Sequence, residues 1–216
     1  RLAAFAGFAL LAIVHTWPLA ASPATSSRYD NSDAMLNEWA IAWVGHQIVS
    51  DPLHLFDANI FFPERNTLAY SEAMLVQGVL GAPLLWLGAP TLLVYNLVLL
   101  AGFTLTGWAT CLVAARWTGS WAAGAAAGIV AGFNAHTLTR FAHLQALHVE
   151  FFPLLLYAVD RLVAERTRAM AVLTGVAFVL QALCSNYYLV FSAFTIVIVA
   201  LIRVKEWWPH RQMRTH

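Results

Sequence analysis

Charge is what this 216-residue sequence has least of: Asp, Glu, Lys and Arg supply 11% of it, against about a quarter in a soluble domain of this size. So small a polar complement cannot cover a water-soluble globule. With 60% hydrophobic residues and a mean hydropathy of +0.66, lipid has to be part of the solvent. Basic runs are missing too, and the formal net charge is only +1, so nothing is available to neutralise a nucleic-acid backbone. Cysteine is scarce: Cys111 and Cys184 both fall in apolar stretches, where a thiol is a small buried hydrophobe rather than half a disulfide or a metal ligand. There is no CxxC, no Ser-His-Asp order and no phosphate-cradling glycine loop.

What the chain does have is a series of apolar runs. Residues 2–21 are long enough to cross a bilayer, which takes about 20 residues; Ala20-Ala21-Ser22 also fits a signal-peptide cleavage site. Further spans are expected at 91–115, 121–133, 151–163, 170–185 and 187–202, the last two joined by a hairpin at Ser185-Asn186. Gly124, Gly128 and Gly132 recur every fourth residue, a stripe that lets a neighbouring helix approach closely and needs no chemistry to explain it. Residues 73–89 are apolar but short, and Gln77, Gly78, Gly81 and Pro83 interrupt them, so they read either as a span or as a surface helix. Arg1 leads directly into an apolar run and the chain trails off after Lys205. The expectation is a fragment short of a few N-terminal residues and of a C-terminal part.

Two segments are polar. Residues 22–72 hold Asp30, Asp33, Glu38, Asp51, Asp57, Glu64 and Glu72. Within them 33–50 reads as an interfacial helix, with Met35, Trp39 and Trp43 four residues apart, Leu36 and Ala40 alongside, and Asn37, Glu38 and His46 at polar positions. Asn59-Ile-Phe-Phe-Pro63 and Asn66 read as turns. The second polar segment is 134–150. With a cytoplasmic N-terminus and a non-spanning 73–89, nine basic residues lie inside and three (Arg28, Arg65 and Arg140) outside, which satisfies the positive-inside rule. Six spans result, with both polar segments on the outer face. If 73–89 spans and the N-terminus lies outside, the count is ten against two, and the polar segments face opposite sides.

Carboxylates at such a boundary can take a proton from a sugar hydroxyl or hold a divalent cation, and Asp30 and Asp33 are the candidates. Asp33 or Ser32 would equally serve as a helix cap. Arg140, His143, Gln145 and His148 follow the glycine-rich span. If helical, Arg140 and His143 share a face and suit a phosphate or an acidic leaving group. His143 and His148, five apart, do not make a zinc pair. His15 lies in the first span, where a polar group tends to be functional, although Trp17-Pro18 beside it also fits an interfacial role.

Several local runs carry a resemblance: Trp17-Pro18-Leu19, the stretch from Asp33 through Asn37 and Trp39 to Trp43, and Asn59 to Pro63 with Leu68-Ala69. Tyr95-Asn96, Thr118-Gly119 and His143-Leu144-Gln145 add to it. The layout resembles the GT-C superfamily of membrane glycosyltransferases that use polyprenyl-phosphate sugars, which includes oligosaccharyltransferase catalytic subunits, protein O-mannosyltransferases and aminoarabinose transferases. The resemblance implies an all-α, polytopic transmembrane bundle of about six spans with interfacial helices in the first external loop. The membrane would be a bacterial inner membrane, with the active face outward. It implies a polyprenyl-phosphate-sugar donor, a glycan, lipid or protein acceptor, and membrane lipid as partner. By the same resemblance Asp33, then Asp30, is the catalytic or metal-binding carboxylate, the metal being magnesium or manganese. Where the family brings a second acidic ligand this sequence has Arg140, His143 and Gln145, with Glu150 nearby. Asn37, Glu38, His46 and Glu72 complete the expected substrate contacts. Two rivals stay open: a transporter or lipid flippase working through His15 and the broken 73–89 helix, and a non-catalytic membrane scaffold.

Overall fold

The computed structural model describes residues 1–27 and 32–208, all helical or irregular, with no strand among the described residues. Local chemistry sets the helix ends. Helix α1 (Leu2–His15) stops before Trp17-Pro18. Helix α2 (Ser32–Ser50) begins the first polar segment, and α3 (Leu75–Trp86) follows it. Helix α4 (Thr91–Thr118) ends where Gly119 takes a left-handed φ of 68°, and Ser120 then caps α5 (Trp121–Gly132) by accepting from the Ala123 N–H at 3.3 Å. Asn134 caps the single turn of α6 (Ala135–Leu138), accepting from the N–H groups of His136 and Thr137. A second single turn, α7 (Leu144–Leu147), leads into α8 (Phe151–Glu165). Thr167 caps α9 (Arg168–Cys184), and α10 (Asn186–Ile202) and α11 (Val204–Trp207) close the described chain.

Contacts fix the directions of the long helices. Phe5 meets Trp108 edge-on at 5.4 Å and His15 meets Phe103 at 5.5 Å, so α1 and α4 run antiparallel. Gly124 lies against Cys111 and Ala115, and Gly128 against Gly107, so α5 runs back along α4. Phe152 meets Tyr188 at 6.3 Å while Asp160 pairs with Arg203 at 2.6 Å, so α8 and α10 run the same way. One end of the bundle therefore gathers Arg116, Trp117, Asp160 and Arg203. The other gathers the start of α2, residues 134–150 and Ser185.

The glycine stripe is a true seam. A Cβ built on Gly128 would sit 2.4 Å from the Gly107 carbonyl oxygen, so side-chain volume there must push the helices apart. Gly128→Ala is expected to lower the thermal midpoint, at a cost of about 1–3 kcal/mol. Gly7→Ala, with nothing within 4 Å of its new methyl, should be neutral or mildly stabilising because alanine is the better helix former. Matching melts for the two variants would overturn the close α4–α5 contact.

By length and composition one helix, Thr91–Thr118, can cross a membrane; its 28 residues reach about 42 Å. Leu2–His15, Leu75–Trp86, Arg168–Cys184 and Asn186–Ile202 are apolar but shorter. Residues 121–133 and 151–163, both expected as spans, form α5 and α8, which are not among these. α5 ends after 12 residues, about 18 Å, because Asn134 takes over as a cap. α3 is also 12 residues long. It packs on α2 through Gly78 against Val44 and Gly81 against Ile41, and on α4 through Gly81 against Val94.

The side chains are partly sorted inside out. Valines 172, 176 and 179 on α9, with Phe191, Phe194 and Ile198 on α10, are exposed, whereas Gln77, Gln181, His148 and Ser192 are wholly buried. The expected stripe of α2 is also displaced. Ala34, Asn37, Ile41 and Val44 form its buried face, while Trp39 and Trp43 turn toward the following loop. There Trp39 Nε1 donates to Asn59 Oδ1 at 3.2 Å and Trp43 Nε1 to the Leu55 carbonyl at 2.8 Å. The tryptophans, half-buried against the edge of the core, pin the loop to it.

Candidate functional site

Asp33 sits in the first turn of α2. Its Oδ2 lies 3.6 Å from His143 Nε2, beyond a direct hydrogen bond but close enough for attraction when the ring is protonated. One turn on, the buried Asn37 Nδ2 donates to the Ala142 carbonyl at 2.7 Å and to Gln145 Oε1 at 3.3 Å. From the other side the Tyr95 hydroxyl donates to the Phe141 carbonyl at 3.1 Å. The turn between α6 and α7 is thus held by α2 and α4 together. Two segments more than a hundred residues apart in sequence meet here, and they bring Asp33, Asn37, Arg140, His143 and Gln145 into one place.

Beside this junction is a pocket of about 340 Å³. Residues 134–150 contribute His136, Arg140, His143 and Gln145 to its lining, and the start of α10 contributes Tyr187, Tyr188 and Phe191. Arg140 is exposed and has no ion pair among the described residues. His143 Nδ1 is buried without a hydrogen-bond partner. The pocket therefore presents one free guanidinium, two imidazoles and an aromatic wall, and the Asp33 carboxylate lies 3.6 Å from one of the imidazoles. That arrangement suits an anion carrying an apolar tail.

The other expected contacts have different roles. Glu72 accepts the Asn186 N–H at 2.9 Å and the Ser185 hydroxyl at 3.3 Å, so its charge caps α10 at the positive end of the helix. Glu38 accepts the Thr91 hydroxyl and ties α2 to the start of α4. His46 lies 13 residues along α2 from Asp33, about 20 Å away, with its ring beside Trp43. Asp30 lies outside the described residues. Arg140 and His143 do meet, but through a turn in which the His143 N–H donates to the Arg140 carbonyl at 2.9 Å. The shared helix face is not formed, because α6 lasts a single turn. His15 is packed among aromatic rings, 5.3 Å from Phe133 and 5.5 Å from Phe103.

Comparison with family models, with curated proteins and with solved structures finds no match to this chain. Among the described residues no group of three or more His, Cys, Asp or Glu side chains comes together. Asp33 and His143 are two donors where magnesium takes about six, mostly oxygen, so they do not make such a site by themselves.

The sequence reading missed a buried pair. His148 is 0% exposed and Glu150 5%, and His148 Nδ1 lies 2.9 Å from Glu150 Oε1. On the opposite edge of the ring Nε2 lies 3.1 Å from the Val98 carbonyl, which only accepts, so that nitrogen carries hydrogen. Burial disfavours the imidazolium, but the Glu150 charge and the hydrogen bonds to Glu150 and Val98 outweigh it and raise the His148 pKa above its ordinary 6.5. Thr106 completes the anchorage, donating to the Leu147 carbonyl at 2.8 Å and accepting the Val149 N–H at 3.0 Å.

Asn37 is the latch between the two polar segments. Asn37→Leu strips the Ala142 carbonyl of its donor and is expected to weaken the turn by about 1–3 kcal/mol. Hydrogen exchange of residues 139–147 should then accelerate, with α4 unaffected. Unchanged protection in that segment would remove the latch role.

Proposed function

We propose that this chain is a module of a membrane glycosyltransferase that takes its sugar from a polyprenyl-phosphate carrier at the outer face of a bacterial plasma membrane. In this reading six helices, α1, α4, α5, α8, α9 and α10, cross the bilayer with their flanking residues. Their alternating directions, the exposed apolar faces of α9 and α10, and the basic residues gathered at one end support it. α8 is buried or half-buried up to Val163, packed by α4, α9 and α10.

One observation carries the proposal: the carboxylate of Asp33 lies 3.6 Å from His143, which lines a pocket with a free Arg140, and the aromatic wall of that pocket continues into the exposed apolar side of α10. Asp33 takes the proton of the acceptor hydroxyl as its oxygen bonds to the sugar's anomeric carbon. The bond from that carbon to the phosphate oxygen breaks, and Arg140 with His143 steadies the charge growing on the departing lipid phosphate. The lipid tail lies along Tyr187, Tyr188 and Phe191.

Photo-crosslinking of a polyprenyl phosphate to the purified chain tests the donor site. Arg140→Glu should cut labelling at least tenfold, and a polyprenol without phosphate should not compete. Equal labelling of wild type and variant would overturn the reading. Single cysteines at Ser32 and Thr139, both exposed, should react with an impermeant reagent from outside intact cells. Reaction from opposite sides would instead favour a transporter, for which the buried His148–Glu150 pair is the natural proton-carrying group.

A further inference from the structure

We propose that the opposite end of the bundle holds a second site, for the headgroup of an anionic phospholipid. A groove of about 610 Å³ opens between the end of α4, the start of α5 and α8. Leu112, Val113 and Leu154 line it, with Arg1, Arg116, Trp121 and Tyr157 among its polar and aromatic groups. Among the described residues no acidic side chain lines it.

The basic residues at this end differ in their partners. Arg161 pairs with Glu165, Arg203 with Asp160 and Glu206, and Arg166 donates to the Glu206 carbonyl at 2.6 Å. Arg1 and Arg116, the two that line the groove, have no ion pair among the described residues. The groove thus keeps its positive charge uncompensated. α5 begins inside it at Trp121, and the positive end of that helix adds to the field. Apolar side chains beneath the cations favour an anion that carries acyl chains over a free one. Trp117 and Trp121, both half exposed, suit the headgroup level of a bilayer. Along α4 the groove, which begins at Leu112, lies about 25 Å from Tyr95, which holds the turn of the Asp33 site, so the two would fill independently.

This inference rests on the membrane reading of the chain and not on its chemistry. The test is the thermal midpoint of the detergent-purified chain titrated with phosphatidylglycerol, phosphatidylcholine or inorganic phosphate. Phosphatidylglycerol at a hundredfold excess over its dissociation constant should raise the midpoint by roughly 5 °C or more, with little change from the other two. Arg116→Glu, and the milder Arg116→Gln should the first fail to fold, should abolish the shift; Arg140→Glu should keep it. Equal shifts with both lipids, or a shift that survives at position 116, would overturn the proposal. An equal response to inorganic phosphate would overturn the lipid as ligand. A chain that stays dispersed without detergent would instead refute the membrane reading itself.

Discussion

Asp33→Asn is expected to lower sugar transfer by about 10²–10⁴-fold, the usual contribution of a positioned general base, while donor crosslinking and the thermal midpoint stay close to wild type. The separation of effects follows from the geometry. The Asp33 side chain is 60% exposed and its ion-pair contact is His143 at 3.6 Å. Exposed pairs of this kind contribute about 0–1 kcal/mol to stability, and an acidic residue in a helix's first turn adds a comparable amount. Asparagine keeps the shape and the capping ability but cannot take a proton from a hydroxyl. The change should therefore fall on kcat with KM for the donor little altered. Asp33→Glu should recover part of the rate. Full transfer by Asp33→Asn would remove Asp33 as the base, and a fall in midpoint matching the fall in rate would reduce it to a helix cap.

The sequence makes some of this site legible and hides the rest for physical reasons. Apolar runs locate the helices, and the spacing of Gly124, Gly128 and Gly132 marks a close seam that α4 fills. One of the two charge counts puts 22–72 and 134–150 on the same face, and in the structure Asp33 meets His143 and Asn37 meets Gln145. Hydropathy does not show where a helix stops, since residues 2–21 read as one apolar run although α1 ends at His15, ahead of Trp17-Pro18. Nor does it show which stripe of α2 packs inward, because Trp39 and Trp43 are as apolar as the Ile41 and Val44 that do. Tyr187 and Tyr188 read only as the start of a span, although they form half of the pocket wall. A polar segment such as 134–150 reads as a loop in water. Here Phe141, Leu144 and Leu147 are buried and draw His148 and Glu150 in with them.

That buried pair is where a single change should cost the fold most. Removing Glu150 alone, as in Glu150→Ala, is expected to destabilise the chain by about 3–5 kcal/mol, because it leaves a charged imidazole buried without its partner. The double change His148→Phe with Glu150→Leu should lose less than Glu150→Ala, since an apolar pair of similar bulk has no charge to bury. A double variant as unstable as the single would mean that Val98 and the backbone, rather than the charge pair, set the cost. The pH profile separates the same alternatives. The folded His148 pKa is raised, so the stabilisation from its proton is complete below about pH 6.5, the ordinary value in the unfolded chain. It is lost as pH rises through the higher folded value. Glu150→Gln removes the cause of the raised pKa, so wild type and Glu150→Gln should differ most in thermal midpoint at acidic to neutral pH and converge as the solution becomes alkaline. A gap that stays constant with pH would show that His148 is neutral in the fold.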